Sequence, residues 1–284
     1  MKPAPFAYAK ARSLEHAVAL LGENESARVL AGGQSLIATL NMRLDAPKLL
    51  VDINGLPGLD AITLRGSHVE IGALVRTAAA LRSPVIAEHV PLLAMALPHV
   101  GHVAIRNRGT VGGSIAFADP AAELPACLLA LGGEVEIAGA DGRRTVAADD
   151  FFRGLFDTAL GPDEVLTAIR VPAASPAMRY GFAELARRHG DYAMVGLAAA
   201  ARMHERQIAD ARLVFFGIGA TPVRARGAEA ALVQRSDQAI EKAVAALMDD
   251  LDPSDDIHAR AKTRLHLAGI LLKRVVAQLH GEAA

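Results

Sequence analysis

Apolar positions along residues 1–55 follow two spacings, which together predict short strands separated by helices. Apolar runs predict strands over residues 1–10, 28–31 and 49–53. Leu14, Val18 and Leu21 recur at helical spacing after Ser13, a typical N-cap residue. A second helix is predicted over residues 36–44, opened by Ser35. The beginning of the chain therefore mixes strands and helices.

Residues 61–171 continue this mixture. A hairpin is predicted from residues 61–64 and 69–73 across the turn at 65–68. Further strands are predicted over residues 134–137, 144–146 and 164–171. Thr77 is predicted to cap a helix, residues 124–131 form another, and the aromatic cluster at 151–156 is predicted core. Pro172 and Pro176 then mark a predicted domain boundary.

Beyond that boundary the pattern predicts three strands and then two helices. The strands cover residues 179–185, 195–203 and 211–218. The inward face of the first helix consists of Ile240, Val244, Leu247 and Met248. The second, capped by Asp255 or Asp256, has an inward face of Leu265, Leu272, Val276 and Leu279. A small sheet with a helical pair is typical of a supporting or docking module.

Composition excludes several classes of function. The chain has 284 residues, a formal charge of −1 and only 4% aromatic residues, which argues against a nucleic-acid or anionic-membrane surface. No apolar run approaches the ~20 residues that cross a bilayer. Without a signal-peptide pattern, the prediction is a cytoplasmic protein. Cys127 is the only cysteine, so this chain alone cannot hold an iron–sulfur cluster or a Cys-based zinc site.

Two glycine-rich stretches are candidate binding sites, Leu30-Ala-Gly-Gly-Gln-Ser-Leu36 and residues 105–125. Glycine lacks a Cβ, so the backbone can run close to a flat or anionic partner. In the first stretch, a strand, a Gly-Gly turn and a helix start suit phosphate, which backbone N–H groups and the helix dipole bind. A plain turn capped by Ser35 fits the same residues, and the Rossmann fingerprint is absent. Two separated cradles predict a large, two-ended ligand.

The second stretch also carries polar groups. Hydroxyls, N–H donors and close approach come from Thr110, Gly112, Gly113 and Ser114. Asp119 and Glu123 are acids that could accept hydrogen bonds from ribose or ribityl hydroxyls. A solvated loop or a helix-start position explains either acid equally well.

No catalytic side-chain motif accompanies these stretches. The sequence has no His-Glu-x-x-His, Gly-x-Ser-x-Gly or Walker motif. His99, His102 and His189 are interpreted as surface or hydrogen-bonded residues, and Cys127 as an inert core residue. Glycine-rich cradles without catalytic side chains are typical of a protein whose chemistry resides in a bound cofactor.

Four motifs, in order along the chain, resemble one family. They are Ala31-Gly-Gly-Gln-Ser-Leu36, Thr110-Val-Gly-Gly-Ser114 through Asp119-Pro-Ala-Ala-Glu-Leu-Pro125, Arg187-Arg-His-Gly-Asp-Tyr-Ala193, and Phe215-Phe-Gly-Ile-Gly-Ala-Thr-Pro-Val-Arg224. Together they are similar to the FAD-binding medium subunit of molybdenum hydroxylases, the group of carbon monoxide and xanthine dehydrogenases. The resemblance covers essentially the whole chain.

The resemblance implies an α+β fold in two domains. Residues 1–175 would be an FAD domain of the PCMH or vanillyl-alcohol-oxidase type, with subdomains of about 1–55 and 56–175 and FAD between them. Residues 176–284 would be a small C-terminal α+β domain of an antiparallel sheet plus helices.

The resemblance also implies which residues hold FAD. The pyrophosphate would be bound by backbone N–H groups of Ala31, Gly32, Gly33, Gln34, Ser35 and Leu36. The rest of the cofactor would contact Thr110, Gly112, Gly113, Ser114 and Glu123. Ile105 and Leu166 would be apolar contacts, and Tyr192 would pack near the isoalloxazine ring.

Two positions depart from the family pattern. Some members carry Asp where this chain has Glu123, and the longer acid would accept its hydrogen bond from a shifted backbone. Some have a lysine close to the flavin in the region that Ala183 and Glu184 occupy here. A flavin-tuning lysine is therefore not carried over to this chain.

The activity implied is electron relay. A large subunit with a molybdenum cofactor would hydroxylate the substrate, and two [2Fe-2S] clusters of a small subunit would pass the electrons to FAD on this chain. An external acceptor would then receive them, and a dimer of heterotrimers is implied. Two alternatives stay open, a stand-alone FAD oxidoreductase on the same fold and a flavin-free assembly subunit.

Overall fold

Three parallel strands form the first sheet of the computed structural model, which describes residues 1–234, 236 and 238–281. The sheet has the order β1-β3-β2, with β1 at Ala7–Lys10, β2 at Ala27–Leu30 and β3 at Leu49–Asp52. Helices α1 (Leu14–Gly22) and α2 (Leu36–Asn41) connect the strands. Ser13 Oγ accepts a hydrogen bond from the His16 N–H at 3.1 Å, which confirms the predicted N-cap. Helix α2 ends at Asn41 and not at residue 44 as predicted.

A five-stranded antiparallel sheet follows, in the order β4-β5-β10-β6-β7. Its strands are β4 (Ile62–Arg65), β5 (His68–Gly72), β6 (Glu134–Gly139), β7 (Gly142–Ala147) and β10 (Val165–Pro172). Helix α9 (Ala148–Phe151) and a ribbon of β8 (Phe152–Gly154) with β9 (Asp157–Thr158) lie between β7 and β10. The hairpin predicted across residues 65–68 is confirmed, since Leu64 pairs with Val69.

The segment between β5 and β6 is helical. It contains α3 (Thr77–Leu81), α4 (Pro84–His89), α5 (Pro91–Ala96), α6 (Val103–Arg108), α7 (Val111–Phe117) and α8 (Glu123–Ala130). Residues 105–125, interpreted from the sequence as a glycine-rich cradle, therefore consist largely of helix. Thr77 is the first residue of α3 and Arg76 occupies the N-cap position, so the predicted cap at Thr77 is wrong by one residue.

The C-terminal sheet is antiparallel and has the order β11-β12-β13-β14. Its strands are β11 (Met178–Leu185), β12 (Val195–His204), β13 (Gln207–Phe216) and β14 (Val223–Arg224). Three helices follow where two were predicted, α10 (Arg226–Val233), α11 (Ala239–Asp250) and α12 (Ala261–Leu279). Asp255 Oδ1 accepts a hydrogen bond from the first N–H of α12, on Ala261, at 2.6 Å, although the N-cap residue is Arg260.

Both faces of the C-terminal sheet are buried. Ala198, Val214 and Phe216 belong to the same core as Leu128 of α8. The strand residues at the intervening positions, which face the other side of the sheet, pack with α10, α11 and α12 in a second core. A continuous apolar core therefore crosses the boundary that we place at residues 175/176, and the division into domains of 1–175 and 176–284 stays a proposal.

Two predicted core residues are wrong. Phe156 is 53% exposed at positive φ in the β8–β9 turn, while Phe151 is fully buried. Met248 is 66% exposed on α11, whereas its neighbour Leu247 is buried. Within the described residues, every helix is too short or too polar to cross a bilayer.

Candidate cofactor-binding site

The turn between β2 and α2 presents a row of free backbone donors. In the described part of the chain, the N–H groups of residues 32–36 donate no hydrogen bond. The first bond of α2 is made by the Ile37 N–H, which donates to the Gly33 carbonyl at 3.1 Å. Gly33 has a φ of +71°, which turns consecutive N–H groups toward one side. Such a row of amides, which we call the amide nest, binds anionic oxygens.

The two glycine-rich stretches meet in the fold. A Cβ on Gly32 would lie 2.8 Å from the Cα of Gly109 and would also collide with the Arg108 carbonyl. A Cβ on Gly113 would come within 4.0 Å of the Ala31 side chain. These contacts need glycine at residue 32, and they place the amide nest beside the start of α7. The prediction of one extended site built from both stretches is consistent with this geometry.

The N–H groups at the start of α7 are used inside the protein. Gly112 donates to the Ala73 carbonyl at 3.0 Å, and Gly113 donates to Thr110 Oγ1 at 3.0 Å. A Cβ on Gly112 would lie 2.5 Å from the Cα of Ala73, so glycine allows α7 to pack against the residue that follows β5. The N–H groups of Gly112 and Gly113 therefore already have acceptors within the protein. Contacts of Thr110, Gly112, Gly113 and Ser114 with a cofactor stay predictions.

A chain of polar side chains holds the two stretches together. The Tyr8 hydroxyl donates to Asp52 at 2.6 Å, and Asn54 Nδ2 donates to Asp52 and to the Ala31 carbonyl at 2.7 and 2.8 Å. Arg76 Nη2 donates to Asn54 Oδ1 at 2.7 Å, and its Nη1 donates to the Arg108 carbonyl. This network, missed by the sequence reasoning, links the first sheet to the α6–α7 turn.

Replacing Arg76 with leucine should loosen that link. We expect the Arg76→Leu variant to bind FAD about tenfold more weakly, because the α6–α7 turn is no longer tied to Asn54. The melting temperature should change little, since Arg76 is only half-buried. Titration of the purified chain with FAD measures this effect. Arg82→Leu, at an exposed arginine ending α3, is the control, and equal affinities of the two variants would contradict the role of the network.

A cluster of ionisable side chains lies where the first domain meets β11. His99 Nδ1 donates to Glu184 Oε1 at 3.2 Å, and this bond raises the pKa of His99. Glu123, at the start of α8, is buried, and burial raises its pKa to about 7. The neighbouring charges of Glu184 and Asp119 raise the pKa of Glu123 further, and the charge of His99 lowers it. The interpretation of His99 as a surface or hydrogen-bonded residue is confirmed in its second form, although no local signal in the sequence indicates a partner 85 positions away.

The remaining predicted residues surround this cluster or lie in the core. Asp119 Oδ1 accepts a hydrogen bond from the Ala121 N–H at 2.9 Å, and burial raises the pKa of Asp119. Although 64% of Tyr192 is exposed, desolvation of its hydroxyl and the nearby Asp119 carboxylate raise its pKa to about 12. Ile105 is half-buried, and a Cβ on Gly101 would contact its side chain. Leu166 is buried in β10 as part of the main core.

The raised pKa values of Glu123 and His99 predict that the free energy of unfolding decreases as pH rises. Burial raises the pKa of Glu123 from 4.5 to about 7, so its charged form opposes folding and the penalty grows across that interval. The contribution of protonated His99 is full below its ordinary pKa of 6.5 and disappears as pH passes its raised value. We expect Glu123→Gln to gain roughly 1–3 kcal/mol of unfolding free energy over the parent at high pH. Thermal melts of parent and variant at pH values from below 4.5 to above 7 test this prediction. A difference in melting temperature that does not change with pH would contradict it.

Both halves of the chain match domain families of known proteins. Residues 4–174 match the model of the FAD binding domain in molybdopterin dehydrogenase, and residues 180–279 match the CO dehydrogenase flavoprotein C-terminal domain. The chain is 38% identical to the nicotine 6-hydroxylase medium subunit of Paenarthrobacter nicotinovorans over 98% of both chains. It is 34% identical to the carbon monoxide dehydrogenase medium chain of Hydrogenophaga pseudoflava over 97% of both.

Solved structures show the same architecture. A chain of carbon monoxide dehydrogenase from Hydrogenophaga pseudoflava superposes with a TM-score of 0.96 at 36% identity, with full coverage of both chains. A chain of quinoline 2-oxidoreductase from Pseudomonas putida 86 superposes with a TM-score of 0.93 at 36% identity and 99% coverage. These matches confirm the resemblance and the α+β fold inferred from the four motifs.

Proposed function

The chain belongs to the FAD-binding medium subunits of molybdenum hydroxylases, and on that basis we propose that it is the electron-relay subunit of such a complex. It is an FAD-dependent oxidoreductase subunit. In our proposal it receives electrons from [2Fe-2S] clusters of a small partner subunit and passes them to an external acceptor. FAD, when bound, supplies a centre that takes up and releases electrons singly or in pairs.

The geometry of the amide nest fits the anionic part of FAD. Its N–H groups at residues 32–36 have no acceptor among the described residues, and Gly33 holds the backbone at positive φ. We propose that these donors and the backbone of Ala31 bind the pyrophosphate. The remaining contacts proposed are Ile105, Thr110, Gly112, Gly113, Ser114, Glu123, Leu166 and Tyr192.

The main support for the relay role is that this chain has too few cysteines to bind an iron–sulfur cluster itself. Cys127, the only cysteine, is fully buried in α8, and burial raises its pKa well above the ordinary value. A [2Fe-2S] cluster needs several thiolates, so its ligands must come from another chain. In the described residues, no three His, Cys, Asp or Glu side chains are grouped to hold a metal. We therefore propose that the clusters and the molybdenum cofactor lie on a small and a large partner subunit. From the family resemblance we also propose a cytoplasmic complex that is a dimer of heterotrimers.

One observation favours the alternative of a stand-alone FAD oxidoreductase. Such an enzyme needs an acid or base near the flavin, and Glu123, with its pKa raised to about 7, titrates in the range suited to that task. The flavin-free assembly subunit has no comparable support, because it leaves the amide nest without a ligand.

Co-purification separates the relay subunit from the stand-alone enzyme. The tagged chain should be co-expressed with its neighbouring reading frames and isolated with FAD. We expect a yellow complex with a cysteine-rich small subunit and a large molybdenum subunit in equal amounts. A yellow chain that purifies alone and oxidises an organic substrate by itself would overturn the relay role.

A further inference from the structure

Glu184 holds a buried oxygen that has no donor. Its side chain is only 6% exposed, and Oε1 accepts the hydrogen bond from His99 described above. Within the described residues, no donor lies within hydrogen-bond distance of Oε2, which is itself buried. Buried carboxylate oxygens in native proteins are almost always hydrogen-bonded, because desolvation without a partner is costly. This oxygen therefore has the capacity to accept a hydrogen bond from a bound ligand.

The groups around Glu184 are mostly acceptors. Glu123 and Asp119 belong to the turn and helix that precede β6, and Tyr192 lies beside Asp119. His99 already donates to Glu184, and His189 stacks on the His99 ring with a centroid distance of 6.1 Å. Glu184 Oε2 thus keeps no donor within the described residues, and a neutral ligand group with N–H or O–H hydrogens suits this position.

The two ends of the site have opposite hydrogen-bonding character. The amide nest offers N–H donors and suits an anion, whereas the cluster at Glu184 offers carboxylate acceptors. Helix α6 lies between these two ends. At one end, Gly109, which follows α6, is in close contact with Gly32 of the amide nest. At the other end, Ile105 of α6 packs against Gly101, which is itself close to Gly190. FAD has this division of character, with an anionic pyrophosphate and, further along, ribityl hydroxyls and an imide N–H.

We propose that Glu184 is a positioning residue for FAD, whose free Oε2 accepts a hydrogen bond from an O–H or N–H group of the cofactor while His99 holds the carboxylate in place. This inference rests on the proposed function, because it needs FAD in the site. Glu184 lies, with Ala183, in the region where the resemblance implies a lysine in some family members.

Glu184→Leu should affect the FAD-free and the FAD-loaded chain differently. Without FAD, at a pH above the raised pKa of His99, the variant should melt close to the parent temperature, because the lost His99 bond and the relieved burial of an unpaired oxygen act in opposite directions. With FAD, the dissociation constant should rise about tenfold, and the visible absorption bands of the bound flavin should shift. Glu184→Met, of similar length, gives the same test if the leucine variant does not fold.

Glu229→Gln is the matched control. Glu229 is also a buried glutamate of the C-terminal domain, but its oxygens accept hydrogen bonds from the Leu213 N–H and from Arg224. This control should lower the melting temperature without changing the flavin spectrum or the affinity for FAD. A folded Glu184 variant with the parent's dissociation constant and spectrum would overturn the inference and leave the relay function intact. A parent chain that binds no FAD would overturn both.

Discussion

Gly33→Val should yield a folded chain that purifies without FAD. Gly33 has a φ of +71°, a conformation that a β-branched residue strongly disfavours. Its Cβ would also press on Ile37 and Leu30 at 3.2 Å. The turn must therefore shift, and the N–H groups of the amide nest no longer point to one side. We expect the dissociation constant for FAD to rise at least ~100-fold, equivalent to about 2.8 kcal/mol.

Gly58→Val separates backbone strain from loss of the nest. Gly58 has a φ of +80° and nothing within 4 Å of a Cβ, so valine causes similar strain away from the amide nest. Both variants should melt at a lower temperature than the parent, but only Gly33→Val should lose FAD in a fluorescence titration. Normal FAD binding by Gly33→Val would mean that the pyrophosphate site is misassigned.

Gly113→Val should weaken both the fold and FAD binding. A Cβ at residue 113 would lie 2.7 Å from Thr110 Oγ1, the oxygen that caps α7. The valine must displace Thr110, which costs about 1–3 kcal/mol through the lost cap and the overpacking. Because α7 lies beside Ala31, we expect FAD affinity to fall at least tenfold as well.

Thr110→Val isolates the capping part of that effect. It removes the hydroxyl without adding volume, so its thermal melt should show the cost of the cap alone, about 1 kcal/mol. Chemical denaturation and FAD titration of both variants provide the comparison. If Gly113→Val were no less stable than Thr110→Val and bound FAD as the parent does, the close approach of Gly113 to Thr110 would not be needed for stability or FAD binding.

The local elements could be predicted because their signals are local. The Ser13 cap, the hairpin at residues 61–73 and the first three strands of the C-terminal sheet follow from caps, turns and alternation within short windows, whereas the two-residue strand β14 was not predicted. The errors also have local causes. Phe156 and Met248 have apolar side chains but lie at a turn and on an outer helix face, where hydrophobicity alone does not indicate burial.

The candidate site could be predicted only in part. Glycine shows where a close approach occurs but not what approaches, and at Gly112 the space that a Cβ would occupy is filled by Ala73 of the same chain. The pairing of His99 with Glu184 and the link from Asn54 to Arg76 depend on tertiary structure, which a sequence window does not contain. The amide nest was predictable, because a strand, glycines and a helix start occur in direct succession.

Electron transfer into the flavin is the most direct test of the relay role. The FAD-loaded chain should be mixed without oxygen with the co-expressed small subunit, whose [2Fe-2S] clusters have been chemically reduced. Stopped-flow absorption follows the flavin and the clusters together. We expect the flavin absorption to fall while the clusters return to their oxidised spectrum. Clusters that stay reduced beside an oxidised flavin, in a complex shown to be assembled, would contradict the relay role.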